Sequence, residues 1–133
     1  MVTTSSVPSH WRLQKPKYTL TGTHCLTCKE HFFPPRDFCK TCRRRGEIEE
    51  FQFKGTGEIV SHTIIRTAPE GFENSAPYAV ALIRLDEGAT ITGQVIGNPE
   101  AVTSGKKVRC VFRRMYEDGP DGQIFYGLKW ELI

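Results

Sequence analysis

Two short stretches decide the fold of the first third of the chain: Cys25-Leu-Thr-Cys28 and Cys39-Lys-Thr-Cys42. Two residues separate the thiols within each pair, and ten residues separate the pairs. This spacing lets four thiolates surround one metal ion as a tetrahedron, with metal–sulfur distances of about 2.3 Å. A ribbon this short cannot build a hydrophobic core, so the metal would supply its folding free energy. The predicted ligands are Cys25, Cys28, Cys39 and Cys42, and the predicted metal is zinc, with iron in a rubredoxin-like site as the alternative.

Two other uses of these thiols are a disulfide pair and a redox dithiol. A redox Cys-x-x-Cys normally opens a helix in a strand–helix unit, whereas this sequence continues with Phe32-Phe-Pro-Pro35 and charged turns. A site closed by four protein ligands has no open position for a substrate, which indicates a structural role. His24 and His31 flank the first pair, and with four cysteines available we interpret them as exposed or capping residues.

The residue directly after each cysteine pair is expected to have an unfavourable backbone conformation. Glycine is common at these positions because the backbone there adopts a left-handed conformation. This chain has Lys29 and Arg43 instead. Their positive charge offers partial compensation for the four thiolates.

The composition is that of an ordinary water-soluble domain, with 133 residues of which 38% are hydrophobic. No apolar run approaches the roughly 18 residues that a membrane-spanning helix needs, which excludes a helical membrane protein. Met1–Ser6 lacks the basic start and apolar centre of a secretory signal. The five cysteines cannot all pair as disulfides, and we therefore expect a cytoplasmic protein.

Charge is distributed unevenly along the chain, although the net charge is only +3. Residues 1–46 carry nine Lys/Arg and two acidic residues, whereas residues 47–133 carry nine Lys/Arg and thirteen acidic residues. This asymmetry indicates two units with different partners. An acidic carboxyl-terminal unit is a poor starting point for binding nucleic acid, which depends on Lys/Arg neutralising phosphates.

A short helix is predicted before the metal ribbon. Ser9 is a plausible N-cap for a helix over 10–14, and Pro16 is expected to end it. A helix this short must dock on something, either the core of this chain or a partner. The side chains available for docking are Trp11, Leu13 and Tyr18.

The rest of the chain alternates short β-rich runs with turn signals, which predicts a small all-β unit. Five main strands in about 80 residues fit a Greek-key barrel of the oligonucleotide/oligosaccharide-binding (OB) type. Gly55 and Gly57 are expected to supply a β-bulge in the first barrel strand. The run 77–83 is apolar on both faces, as in a central strand. The predicted strands are 51–54, 58–66, 77–85, 90–96, 106–114 and 123–130, and the predicted units are a helical segment (1–22), a zinc ribbon (23–46) and the OB-fold domain (47–133).

In the run 106–114, apolar side chains alternate with cations, so the two kinds are expected to lie on opposite faces of a strand. Val108, Cys110 and Phe112 are expected to face the core, so Cys110 is interpreted as a core thiol. On the other face lie three cations, and these are either a solvated strand face or a seat for phosphates. They are Lys107, Arg109 and Arg113.

No arrangement of residues predicts an enzyme. Ser61 and His62 are sequence neighbours on a predicted strand, so they point to opposite faces and cannot act on each other. We find no paired-carboxylate, phosphate-loop or His-metal signature in the sequence.

Several segments together resemble one known family, the zinc-ribbon/OB-fold proteins long catalogued as a domain of unknown function and encoded beside thiolases. The match runs from about residue 8 to about residue 131, and the ordered combination is far more specific than any one piece. The glycine that the family usually has after the first cysteine pair is Lys29 here. The matching segments besides the two cysteine pairs are 10–12, 18–22, 33–36, 55–63, 68–72 and 77–82.

The resemblance implies a non-catalytic accessory subunit built from a helical hairpin, a rubredoxin-like ribbon and an OB barrel. In archaeal-type members the partners are an acetoacetyl-CoA thiolase and 3-hydroxy-3-methylglutaryl-CoA synthase of the mevalonate pathway, which is part of isoprenoid biosynthesis. The small subunit would bridge the two enzymes so that acetoacetyl-CoA passes between them. Other members accompany sterol-side-chain thiolases or hydratases. The loop with Pro69, Gly71 and Phe72 lies where family members are proposed to approach CoA.

The sequence is therefore compatible with two functions from different classes. The first is a scaffold and acyl-CoA-binding subunit of a thiolase–synthase assembly. The second is a nucleic-acid-binding protein that uses its OB barrel to stack bases and its ribbon cations to contact phosphates.

Overall fold

The computed structural model describes residues 7–133. Residues 1–6, where the signal-peptide expectation and the start of the predicted helical segment 1–22 fall, lie outside the described part. No helix within residues 7–133 is long and apolar enough to span a membrane. The elements are α1 (Val7–Arg12), α2 (Gln14–Thr19), β1 (Thr21–Cys25), β2 (His31–Phe32), β3 (Ile48–Gln52), β4 (Thr56–Ile65), β5 (Tyr78–Leu85), β6 (Thr90–Val95), β7 (Lys107–Glu117) and β8 (Ile124–Leu132), with a 3-10 turn at Pro99–Ala101.

Strands β1, β2 and β3 form a three-stranded antiparallel sheet in the order β2-β1-β3. Strand β1 ends at Cys25, which pairs with Ile48 of β3. The predicted strand 51–54 was assigned to the barrel, and that assignment is wrong. Phe51 pairs with Gly22 of β1, so the strand that includes Phe51 completes the ribbon sheet.

Strands β4 to β8 form a closed barrel in the order β4-β5-β6-β8-β7, which confirms the predicted five-stranded OB architecture. The ladders are antiparallel, except that β6 and β8 meet in parallel at Val95 and Trp130. Apolar side chains on the inner face of every strand fill the barrel. The fully buried ones include Ile59, Ile83, Leu85, Val95, Val108 and Trp130.

Two details of individual strands differ from the sequence pattern. The bulge in β4 lies between Ile59 and Ser61, and not at the two glycines. Gly57 serves another purpose, since a Cβ there would lie 2.5 Å from the carbonyl oxygen of Arg84. Strand β5 lies between β4 and β6, which confirms the predicted central position, but only one of its faces is buried, since Leu82 on the other face is 39% exposed.

The amino-terminal helices also differ from the prediction. Ser9 lies inside α1, and Pro16 lies in the first turn of α2 instead of ending a helix. Proline is tolerated in a first turn because the backbone N–H groups there have no partner within the helix. The helix pair docks on its own barrel, since the ring of His10 is buried and lies 4.7 Å from the ring of Phe125.

Candidate metal centre and partner surfaces

The two cysteine pairs meet at one point, as their spacing predicts. The four Sγ atoms all lie within 4.8 Å of one another, and the Cys28 and Cys39 sulfurs are 3.5 Å apart. A tetrahedron with metal–sulfur bonds of about 2.3 Å has sulfur–sulfur edges of about 3.8 Å, so these separations suit one ion. Cys25 and Cys39 are fully buried, and Cys28 and Cys42 are half-buried.

Both cysteine pairs use the same backbone turn. The Lys29 N–H donates to the Cys25 carbonyl at 2.9 Å, and the Arg43 N–H donates to the Cys39 carbonyl at 2.8 Å. Lys29 and Arg43 have φ values of 63° and 53°, which is the left-handed conformation expected after each pair. Two equal turns that present four sulfurs to one point are the arrangement of a zinc ribbon.

The charges of the sulfurs favour a bound cation. Backbone N–H donation from Cys28 lowers the pKa of Cys25 to about 6, so this thiol ionises readily. Burial, together with the neighbouring sulfurs, raises the pKa of Cys42 to about 12. A second thiolate therefore needs a positive charge in the centre, and a soft divalent metal supplies it.

Gly46 is part of this centre, although its role is not visible in the cysteine spacing. A Cβ at Gly46 would lie 3.0 Å from the Cβ atoms of Cys39 and Cys42 and 3.2 Å from the Cys25 sulfur. The backbone therefore passes closely over the sulfur cluster. A glycine shortly after the second pair is the signal that could have indicated it.

The two histidines near the first cysteine pair lie outside the cluster. Their rings stack on each other with centroids 5.5 Å apart, and both contact the ring of Phe51. Within residues 7–133, the four cysteines are the one group of three or more His, Cys, Asp or Glu side chains placed to share an ion.

The loop proposed for CoA lies against the far end of β7. The Phe72 ring is 6.3 Å from the ring of Tyr116, and a cavity of about 320 Å³ opens between the loop and the β7–β8 turn. The Gly71 N–H donates to the Glu73 carboxylate, and the Phe72 N–H donates to the Pro69 carbonyl at 3.0 Å. Three carboxylates line the cavity, so its charge opposes the binding of phosphates. They are Glu70, Glu117 and Asp118.

The three predicted cations of β7 do not converge on that loop. Lys107 pairs with Glu58 at 3.2 Å, and Arg109 pairs with Glu131 at 2.5 Å. Lys107 lies nine residues before Tyr116, which corresponds to roughly 30 Å along a strand. Arg113, whose guanidinium donates to the Phe112 carbonyl, is the cation of the three nearest to Tyr116 along β7.

The inward face of β7 follows the prediction only in its first half. Val108 is fully buried, and burial of the half-buried Cys110 raises the pKa of its thiol. Phe112 was expected in the core, but its side chain is 47% exposed. It stacks on Tyr126 of β8 with ring centroids 5.4 Å apart and also meets Tyr18 of α2, because β7 extends beyond the barrel core.

Large apolar side chains remain uncovered near the amino terminus. Trp11 is 73% exposed and Leu13 is 48% exposed, so neither packs on the core of this chain. Tyr18 contacts the outer face of the barrel through Phe112. Large exposed apolar side chains of this kind are typical of protein-interaction surfaces.

Two family models match the chain and together cover most of it. Residues 15–49 match the rubredoxin-like zinc ribbon domain of ChsH2, and residues 50–113 match the C-terminal OB-fold domain of ChsH2. The boundary between the matches falls within β3.

Three archaeal relatives resemble the chain over nearly its full length, and each is named a DUF35 domain-containing scaffold protein. The relative from Methanocaldococcus jannaschii is 45% identical over 92% of this chain and 88% of its own. The relative from Methanothermobacter thermautotrophicus is 43% identical over 91% and 92%, and that from Pyrococcus furiosus is 40% identical over 96% and 93%.

Two solved structures share the fold. The Ltp2–ChsH2(DUF35) aldolase matches with a TM-score of 0.69 and 21% identity, over 99% of this chain and 98% of that one. A DUF35 protein of unknown function from Sulfolobus solfataricus matches with a TM-score of 0.54 and 23% identity, over 98% and 90%. With a ribbon of four clustered cysteines, a closed five-stranded barrel and relatives above 40% identity, the chain belongs to the DUF35 family of zinc-ribbon/OB-fold proteins.

Proposed function

We propose that the chain is a non-catalytic scaffold subunit in the cytoplasm that bridges an acetoacetyl-CoA thiolase and 3-hydroxy-3-methylglutaryl-CoA synthase. In this role it would assist the transfer of acetoacetyl-CoA between the two enzymes of the mevalonate pathway. The observation that carries the proposal is the near full-length match to relatives that are named scaffold proteins. The pairing with these two enzymes follows from the family resemblance.

The surface of the molecule supports a role in assembly. Trp11 and Leu13 on the helical segment and Phe38 on the ribbon are all between 48% and 73% exposed. Aromatic side chains that remain uncovered in a small domain are the usual anchors of protein interfaces. These side chains belong to two different segments, the helical segment and the ribbon, and both segments are therefore available to partners.

Zinc is the metal that we propose for the four-cysteine centre, with iron as the alternative. The sulfur separations suit either ion, and a closed set of four thiolates indicates a structural site. The ion would hold β1, β2 and β3 in place and so keep the ribbon surface rigid.

We also propose that the loop with Pro69, Gly71 and Phe72 contacts acyl-CoA. Its aromatic and acidic surroundings suit the uncharged pantetheine arm better than the phosphates. Arg113 is the predicted cation best placed to reach the phosphates, and Lys107 and Arg109 would first have to leave exposed ion pairs. Such exposed pairs are worth only about 0–1 kcal/mol.

An affinity pull-down tests the proposed function. The tagged full-length chain is expressed in its own host, recovered at moderate salt, and its bound proteins are identified by mass spectrometry. The proposal expects the thiolase and the synthase in near-equal amounts. Recovery of nucleic acid and its binding proteins, or of the chain alone, would overturn it.

A further inference from the structure

An open groove on the ribbon is lined by positive charge. Its volume is about 1160 Å³, and no carboxylate among residues 7–133 lines it. One wall is formed by the second cysteine turn and the three residues that follow it. Its five cations and its exposed aromatic residue are Arg36, Lys40, Arg43, Arg44, Arg45 and Phe38.

These five cations have no acidic partners. Within residues 7–133, none of them makes an ion pair with a carboxylate. Elsewhere in residues 7–133, five cations pair with carboxylates, among them Lys15 with Glu50 and Arg66 with Glu100. Arg43 offsets part of the negative charge that four thiolates leave around a divalent ion, but five like charges on so small a unit exceed that charge and repel one another, so the arrangement costs stability in the isolated chain. An anionic surface that covered them would remove this cost.

The metal centre holds the groove in a fixed shape. The Arg45 N–H donates to the Cys42 carbonyl at 3.1 Å, and the Gly46 N–H donates to the Arg43 carbonyl at 3.3 Å. The backbone that carries the arginines is therefore tied to the cysteine turn. A receptor ordered before binding loses less conformational entropy when a partner docks.

Phe38 gives the groove an apolar anchor. Its side chain is 65% exposed, whereas Phe32 of the same ribbon is buried. Arginines around an exposed aromatic ring are the residue types that dominate protein–protein binding energy. The guanidinium groups also match carboxylates as two-pronged donors.

We infer that this groove is the docking site for an acidic segment of a partner protein. In the complex, Phe38 would contact an apolar side chain of that segment. This inference rests on the proposed scaffold function and adds the surface and the charge of the partner. A long single strand of nucleic acid suits the groove less well. Such strands need a continuing basic track with repeated aromatic platforms, whereas the rest of the molecule, residues 47–133, has a net negative charge.

The test measures dissociation constants of the metal-loaded full chain for the two purified enzymes and for two defined probes. The probes are a polyglutamate chain and an oligothymidylate of equal charge. The ribbon variant is Lys40→Glu/Arg44→Glu/Arg45→Glu, which spares the cysteines and the strained Arg43. The control variant Lys54→Glu/Arg66→Glu/Arg84→Glu makes the same change in net charge outside the groove, and Phe38→Ala tests the apolar anchor. Metal content confirms that each variant retains its ribbon.

The inference expects the ribbon variant to lose roughly tenfold or more in affinity for one enzyme and for polyglutamate, while the control changes little. Binding by the normal chain should also weaken as salt rises. Normal enzyme binding by the ribbon variant would overturn the inference and leave the scaffold function intact. If the normal chain bound polyglutamate but neither enzyme, the proposed scaffold function would be wrong, whereas the groove would still be a binding site for acidic segments. Tighter binding to oligothymidylate than to polyglutamate, or equal losses in the ribbon and control variants, would also overturn the inference.

Discussion

Lys29 and Arg43 occupy equivalent positions, each directly after a cysteine pair and each with a left-handed backbone. A side chain in this conformation costs about 1–2 kcal/mol, whereas glycine adopts it freely. We expect Lys29→Gly to stabilise the metal-loaded chain by about 0.5–1 kcal/mol in urea unfolding. Lys40→Gly is the matched control, since Lys40 does not have a positive φ and should lose stability. Equal destabilisation by both substitutions would contradict this account of the turn.

Lys129 on β8 is half-buried, and burial followed by the nearby charge of Arg113 lowers the pKa of its ammonium group. The unfolded chain therefore binds a proton more tightly than the folded chain does. The charged Lys129 therefore lowers the free energy of unfolding. This effect is fully present at pH 7 and disappears above the ordinary lysine pKa of 10.5, where the side chain is neutral in both states. We expect Lys129→Met to raise the melting temperature at pH 7 and to have a smaller effect at pH 11. A gain that is the same at both pH values would show that packing, and not charge, is responsible.

At the scale of the elements, we expect the ribbon to depend on a bound metal for its folding and the barrel to fold without one. The hydrophobic cluster around the cysteines contains only Cys25, Phe32 and Cys39 as buried residues, whereas the barrel core is a larger cluster, on which Phe33 and Phe51 of the ribbon also pack. We expect Cys25→Ser/Cys42→Ser to abolish metal binding and to expose the amides of β1 to β3 to hydrogen exchange. The amides of β5 and β8 should stay protected.

Cys110→Ser is the control for this pair of substitutions, since Cys110 lies outside the cluster and should leave the metal content unchanged. Metal retained by the double variant, or protection lost throughout the barrel at the same rate as in the ribbon, would contradict the independence of the two units.

The elements also show what the sequence can and cannot predict. The metal centre was predictable because ligand type and spacing are local properties of the chain, and strand alternation was enough to predict the barrel. Pro16 and Phe51 were placed wrongly for different reasons. Proline stops a helix only beyond the first turn, and Pro16 lies in the first turn of a second helix, α2, which the sequence pattern did not indicate. Phe51 lies in a strand whose partner, β1, is close in space but distant in sequence.

At the scale of the whole molecule, the uneven distribution of charge could be read from the sequence, but which cations have carboxylate partners could not. Whether a cation is paired depends on which strands become neighbours. The predicted phosphate-binding cations Lys107 and Arg109 have carboxylate partners, whereas within residues 7–133 no carboxylate pairs with the arginines after Cys42. The candidate CoA loop lies far from Lys107 and Arg109, because β7 is long enough to place the loop and these two cations at different ends of the barrel.

The central claim is that this chain holds two larger enzymes together. The most direct measurement is the molar mass of a mixture of the chain, the thiolase and the synthase by size-exclusion chromatography with light scattering. The account predicts one species that contains all three proteins and that is absent when the chain is left out. Two enzymes that associate equally well without the chain, or a chain that elutes alone in their presence, would contradict it.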